Sequence, residues 1–148
     1  MAVQSVGSGW EARPAQTKAS MSVASGALSA TQVLDLVSKA AAAVEDESGW
    51  VRVGERTANK VEVTIRDMTR ESTEPVMQFD VELDRAVGRV TVRTQITSYV
   101  VKSGGMSALV SMQKRKIAGF NAYRAFMDRY AQMLQQADPG VNVSFSGD

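Results

Sequence analysis

Residues 79–94, FDVELDRAVGRVTVRT, decide how this chain is read. Phe79, Val81 and Leu83 alternate with Asp80, Glu82 and Asp84, and Val90 and Val92 alternate with Arg89, Thr91 and Arg93. A period of two sends successive side chains to opposite faces of a strand, so each half is a strand with one apolar face. Arg85-Ala86-Val87-Gly88 between them predicts a hairpin connection. Pairing Asp84 with Arg89 sets Leu83 against Val90, Val81 against Val92 and Asp80 against Arg93. Charge and burial then agree on one register.

Upstream, Val51 and Val53, and then Val61, Val63 and Ile65, repeat the alternation. Arg52 opposite Glu62 brings Val53 opposite Val61. Met77 and Ile96 extend the two decisive strands, and the polar stretch from Thr69 to Glu74, ahead of Pro75, predicts a longer connection. Before the strands, Ser29-Ala30-Thr31-Gln32 fits a capping box, in which the serine caps a helix and the glutamine reaches back. Val33, Leu36, Val37, Ala40, Ala41 and Val44 follow at helical spacing, and Glu45 to Gly49 predicts the exit loop. After the strands, Lys102 to Ser111 predicts a loop and Lys114 to Ala137 a second helix. Its stripe is Phe120, Tyr123, Met127, Tyr130 and Leu134, flanked by Ile117 and Ala131. Asp138-Pro139-Gly140 stops it, and Val141, Val143 and Phe145 alternate as a short last strand. The order α-β-β-β-β-α-β predicts an α+β two-layer sandwich, an antiparallel four- to five-stranded meander with two helices on one face. That order resembles helix-grip folds such as the START-like binders of lipids and other apolar ligands. The resemblance is architectural, and no motif residue carries over.

Residues 1–27, rich in Ser, Ala and Gly, show no sustained period and predict a flexible or docking arm ahead of a single domain at 28–148. On this reading their deletion leaves the melting of the domain nearly unchanged. Trp10 is the candidate anchor of the arm, because aromatic side chains carry much of the energy at interfaces.

The composition restricts chemistry further. The chain has 148 residues, no cysteine, no histidine and a formal net charge of +1. Thiol nucleophiles, disulfides, Cys/His zinc sites and an imidazole base are excluded. Near-zero charge supplies no general field for nucleic acid or anionic membrane. No apolar run is long enough for a membrane span and no secretion signal is evident, so a cytoplasmic protein is expected. By the same token the Asn142-Val143-Ser144 glycosylation pattern is read as chance.

The basic run Lys114-Arg115-Lys116 is short and reads first as a solvated helix entrance. Glu62, Asp80, Glu82 and Asp84 share the wet sheet face with Arg52, Arg66, Arg89 and Arg93, so cross-strand ion pairs account for them without catalysis. No aromatic side chains are expected on that face. Phe120, Tyr123, Met127 and Tyr130, with Met106 and Met112, form the soft apolar set, with core packing as the first reading and a ligand pocket as the second. The expected function is a non-enzymatic binding or assembly module that recognises a protein partner or itself through the arm and the loop at 102–113. The alternative is a small apolar-ligand-binding domain with a pocket between the C-terminal helix and the sheet. No cofactor or metal is expected.

Overall fold

A computed structural model describes residues 14–48, 50–66, 75–101 and 116–147. After a single 3-10 turn at Ala15–Lys18, the elements are β1 (Ser20–Ser25), α1 (Ala30–Ser48), β2 (Trp50–Arg56), β3 (Lys60–Arg66), β4 (Met77–Ala86), β5 (Arg89–Tyr99), α2 (Phe120–Ala137) and β6 (Asn142–Ser146). They form an α+β fold with one antiparallel sheet in the order β2-β3-β4-β5-β1-β6. No helix among the described residues is long and apolar enough to cross a membrane.

The sheet has six strands rather than four or five, and the additional one lies inside the segment expected to be an arm. β1 runs between β5 and β6, pairing Val23 with Val92 on one side and with Val143 on the other. Met21, Val23 and Ser25 are buried. A Ser-rich strand of this kind has weak propensity of its own and is held by the strands on both sides.

Both hairpin registers differ from expectation by two residues. Leu83 faces Val92, Glu82 faces Arg93 and Ala86 faces Arg89, leaving a two-residue connection of Val87 and Gly88. Gly88 holds φ 72°, which a tight hairpin needs and glycine adopts at little cost. Val53 likewise faces Val63, not Val61, and Arg52 faces Thr64 rather than Glu62. A shift of two keeps every side chain on its face, so the apolar pattern tolerates either register, and between β4 and β5 the two-residue turn selects the observed one.

The capping box at the start of α1 forms as expected. The Ser29 N–H donates to Gln32 Oε1 at 2.8 Å, and the Gln32 N–H donates to Ser29 Oγ at 3.1 Å. The helix runs on through Ser48 instead of ending at Glu45, since no Gly or Pro interrupts it before Gly49. Leu34 takes the buried place expected of Leu36, which is only partly covered. α2 begins at Phe120 rather than Lys114, because Ile117 bridges to Val101 and Gly119 turns the chain at φ 83°. A Cβ at Gly119 would sit 3.1 Å from Ile65 Cγ2 and 3.2 Å from Val76 Cγ2, so both the conformation and the space favour glycine.

The largest fully buried side chains of the core are aromatic. The Phe79 ring on β4 meets Tyr123 at 4.8 Å and Phe126 at 5.0 Å, and Phe126 stacks on Tyr130 at 5.4 Å. Buried hydroxyls need partners, and these find them within the chain. Tyr130 donates to the Val33 carbonyl of α1 at 2.9 Å. Tyr123 donates to the Ala19 carbonyl at 2.7 Å. Its oxygen therefore accepts from Thr94 at 2.9 Å, while Thr94 Oγ1 accepts the Met21 N–H at 2.9 Å. This relay ties the start of β1 to β5 and to α2. A second tie closes the far end of β1, where Ser25 donates to Asp138 at 2.7 Å and Asp138 accepts the Gly140 N–H at 3.0 Å.

Candidate functional site

Of the residues singled out in the sequence, Phe120, Tyr123, Met127 and Tyr130 are buried where α2 packs on the sheet. Burial pushes the Tyr123 hydroxyl up to about 12, with the Thr94 hydrogen bond opposing, and burial also raises Tyr130. Both are neutral hydroxyls engaged in internal hydrogen bonds. Lys116 is exposed just ahead of α2. Trp10, Met106, Met112, Lys114 and Arg115 lie outside the described residues.

Two surfaces remain. The first is the outer face of the sheet, where a cleft of about 910 Å³ runs from Asn59 and Lys60 across Glu82, Asp84 and Arg93 to Ser22 and Ser144. Two ion pairs lie in or beside it. Arg93 lies 4.0 Å from Glu82, and Lys60 lies 3.8 Å from Asp80 beside the cleft. These pairs leave a mixed polar lining without a dominant sign. Contrary to expectation, one aromatic residue does lie on this face. Trp50 at the start of β2 is flanked by the Arg66 guanidinium, 4.5 Å from the ring centre, and by that of Arg52 at 5.1 Å, a cation–π arrangement. Its parity with Arg52, opposite to Val51 and Val53, was the available signal.

Asp80 is the anomaly of this face, because it is only 9% exposed although its strand position points it outward. Its Oδ1 has no hydrogen-bond partner among the described residues. Burial raises its pKa above the ordinary carboxylate value, Lys60 opposes that rise, and Glu62 and Glu82 reinforce it. The folded protein therefore holds this proton more tightly than the unfolded chain does. Stability from this group is full at acid pH and is lost as pH rises from the ordinary carboxylate range through the raised value. Asp80→Asn should accordingly melt at or above the parent temperature near pH 7, and the difference should shrink toward about pH 4. Melting curves across that range test it. A variant less stable than the parent at neutral pH would mean that the Lys60 pair outweighs the burial cost.

The second surface is the free side of β6. Asn142–Ser146 pairs with β1 without a bulge, and among the described residues no strand pairs with its other side. It carries no charged residue and no proline. Phe145 is 53% exposed on the face that carries the helices. It borders a groove of about 260 Å³ with Phe120, Met127, Arg124 and Asp128 on its walls. The opposite edge, β2, is built differently. It has a register shift between Val53 and Arg56, and it carries Arg52, Glu55 and Arg56, the last ion-paired to Asp35 at 3.0 Å. Bulges and charges are the usual protection of an edge strand, and β6 has neither.

Comparison with protein-family models, with curated proteins and with solved structures finds no match to any of them.

Proposed function

We propose that this chain is a non-enzymatic binding or assembly module that docks a protein partner by strand addition at β6. The observation that carries this reading is the contrast between the two edges of the sheet, one bulged and charged, the other regular, uncharged and bearing a half-exposed phenylalanine. An edge strand offers backbone donors and acceptors at a fixed spacing. An added strand gains affinity from those hydrogen bonds and specificity from alternate side chains. Here the alternate side chains on the helix side are Val143 and Phe145. The polar face gives less support to an enzymatic reading, because Lys60 and Arg93 are paired with Asp80 and Glu82, and Asp80 lies under the surface instead of in an open cleft.

Strand addition is testable with a generic probe. A blocked heptapeptide of alternating valine and threonine, titrated to millimolar concentration, should shift the amide resonances of Val143 and Phe145 and slow their hydrogen exchange. Resonances of β2 should stay in place. No shift at β6, or equal shifts at both edges, would overturn the reading.

A further inference from the structure

The outward backbone groups of β6 can be assigned residue by residue. Along a strand, the N–H and C=O of one residue point to the same side, and the next residue points to the other. The Met21 N–H is directed to Thr94 on β5, so Met21, Val23 and Ser25 face β5 and Ser20, Ser22 and Ala24 face β6. Ser146, Ser144 and Asn142, which oppose those three, turn their backbone groups inward. Val143 and Phe145 are left with theirs directed at the free edge. Val141 cannot extend the row, because its N–H is bonded to the Asp138 carbonyl at 3.0 Å. Gly147 cannot extend it either. It leaves the extended conformation at φ 81°, and a side chain there would overlap the Lys18 carbonyl.

We infer that the strand accepted at this edge is β6 of a second copy of the chain, antiparallel and related by a two-fold axis at Ser144. This rests on the reading of β6 as a docking edge and names its occupant. A two-fold axis at Ser144 sets Val143 opposite Phe145 of the other copy, twice. Each of those opposed residues has both its N–H and its C=O pointing across the junction, so all the outward groups of both strands pair with none left over. Axes placed at Val143 or Phe145 would call on Val141, whose N–H is already bonded, or on Gly147, which is not extended. Placing the axis between residues would set inward-turned groups against outward-turned ones and reverse the faces.

Side chains agree with the same axis. Val143 and Phe145 lie on the helix side in both copies, so each exposed phenylalanine gains an apolar neighbour. Asn142, Ser144 and Ser146 meet their counterparts on the polar side, where they remain hydrated. A net charge of +1 adds little long-range repulsion between copies. The junction is short, so the dimer belongs to the weak, exchanging class, with a dissociation constant of roughly 1 µM to 1 mM.

Sedimentation of the full chain over a concentration series up to about 1 mM measures this directly. The expected result is a monomer–dimer equilibrium in which the Val143 and Phe145 amides slow their exchange as dimer forms. Phe145→Lys removes the ring and places two like charges diagonally across the junction, so it should weaken the dimer about tenfold or more while the monomer melts as before. A chain that stays monomeric throughout overturns the second-copy inference, whereas the docking reading falls only if the heptapeptide also fails. A dimer that forms equally well with Phe145→Lys, and leaves both amides unprotected, places the contact elsewhere and overturns the inference as well.

Discussion

Phe79→Asp is expected to abolish cooperative folding. Phe79 is fully buried near the start of β4, with Tyr123 and Phe126 rings at 4.8 Å and 5.0 Å. The substitution removes a large apolar side chain, which alone costs about 3–5 kcal/mol when a phenylalanine is truncated in a core. It also places a carboxylate where the described neighbours are aromatic, and an unpaired buried charge costs several kcal/mol more. Together these approach the whole stability of a domain, roughly 5–15 kcal/mol. Circular dichroism and a thermal melt read the outcome. Phe79→Leu is the control, expected to melt cooperatively at a lower temperature. Parent-like melting of Phe79→Asp would mean that Phe79 does not face the helices.

The facing of Phe79 is legible in the sequence because strand parity is a local signal. Phe79, Val81 and Leu83 cannot leave the core together unless Asp80, Glu82 and Asp84 enter it. Register is less legible, since shifts of two residues preserve parity and only the turn at Val87-Gly88 distinguishes them. Ser29 and Gln32 announce the start of α1 for the same local reason, through a reciprocal bond between residues three apart. By contrast, Asp80 shows what parity misses. Its position predicts an exposed carboxylate, but burial depends on how the neighbouring side chains and strands close over it.

β1 is the element the sequence conceals. Ser20–Ser25 holds only Met21, Val23 and Ala24 as apolar residues, and its pairing partners lie some seventy and one hundred and twenty positions away. Without β1, nothing in the sequence says that β6 is an edge, because edge status belongs to strand order and not to local composition. Val143 and Phe145 can be read as strand residues from their alternation. Their outward backbone groups follow only once Met21 is placed beside Thr94.

Deleting residues 1–27 should therefore unfold the chain, the reverse of what a detachable arm predicts. The deletion takes out a strand with ladders on both sides, so β5 becomes an open edge and β6 loses its described partner. Burying Met21 and Val23 contributes about 1.5–3 kcal/mol each. Thr94 and Tyr123 lose the Met21 N–H and the Ala19 carbonyl, and Asp138 loses the Ser25 hydroxyl. Each buried polar group left without its partner costs about 1–3 kcal/mol. These losses fall at the central relay of the fold and at the C-terminal end of α2, so they are not confined to one edge. The fragment 28–148 is expected to be expanded or insoluble and to melt without a cooperative transition. The decisive comparison is with Met21→Ala in the full chain, which keeps the backbone ladders and should only lower the melting temperature, at a cost of about 2–5 kcal/mol. A fragment that melts like the parent would show that β1 is dispensable. In that case the sheet would end at β5, and the docking edge would have to be sought there.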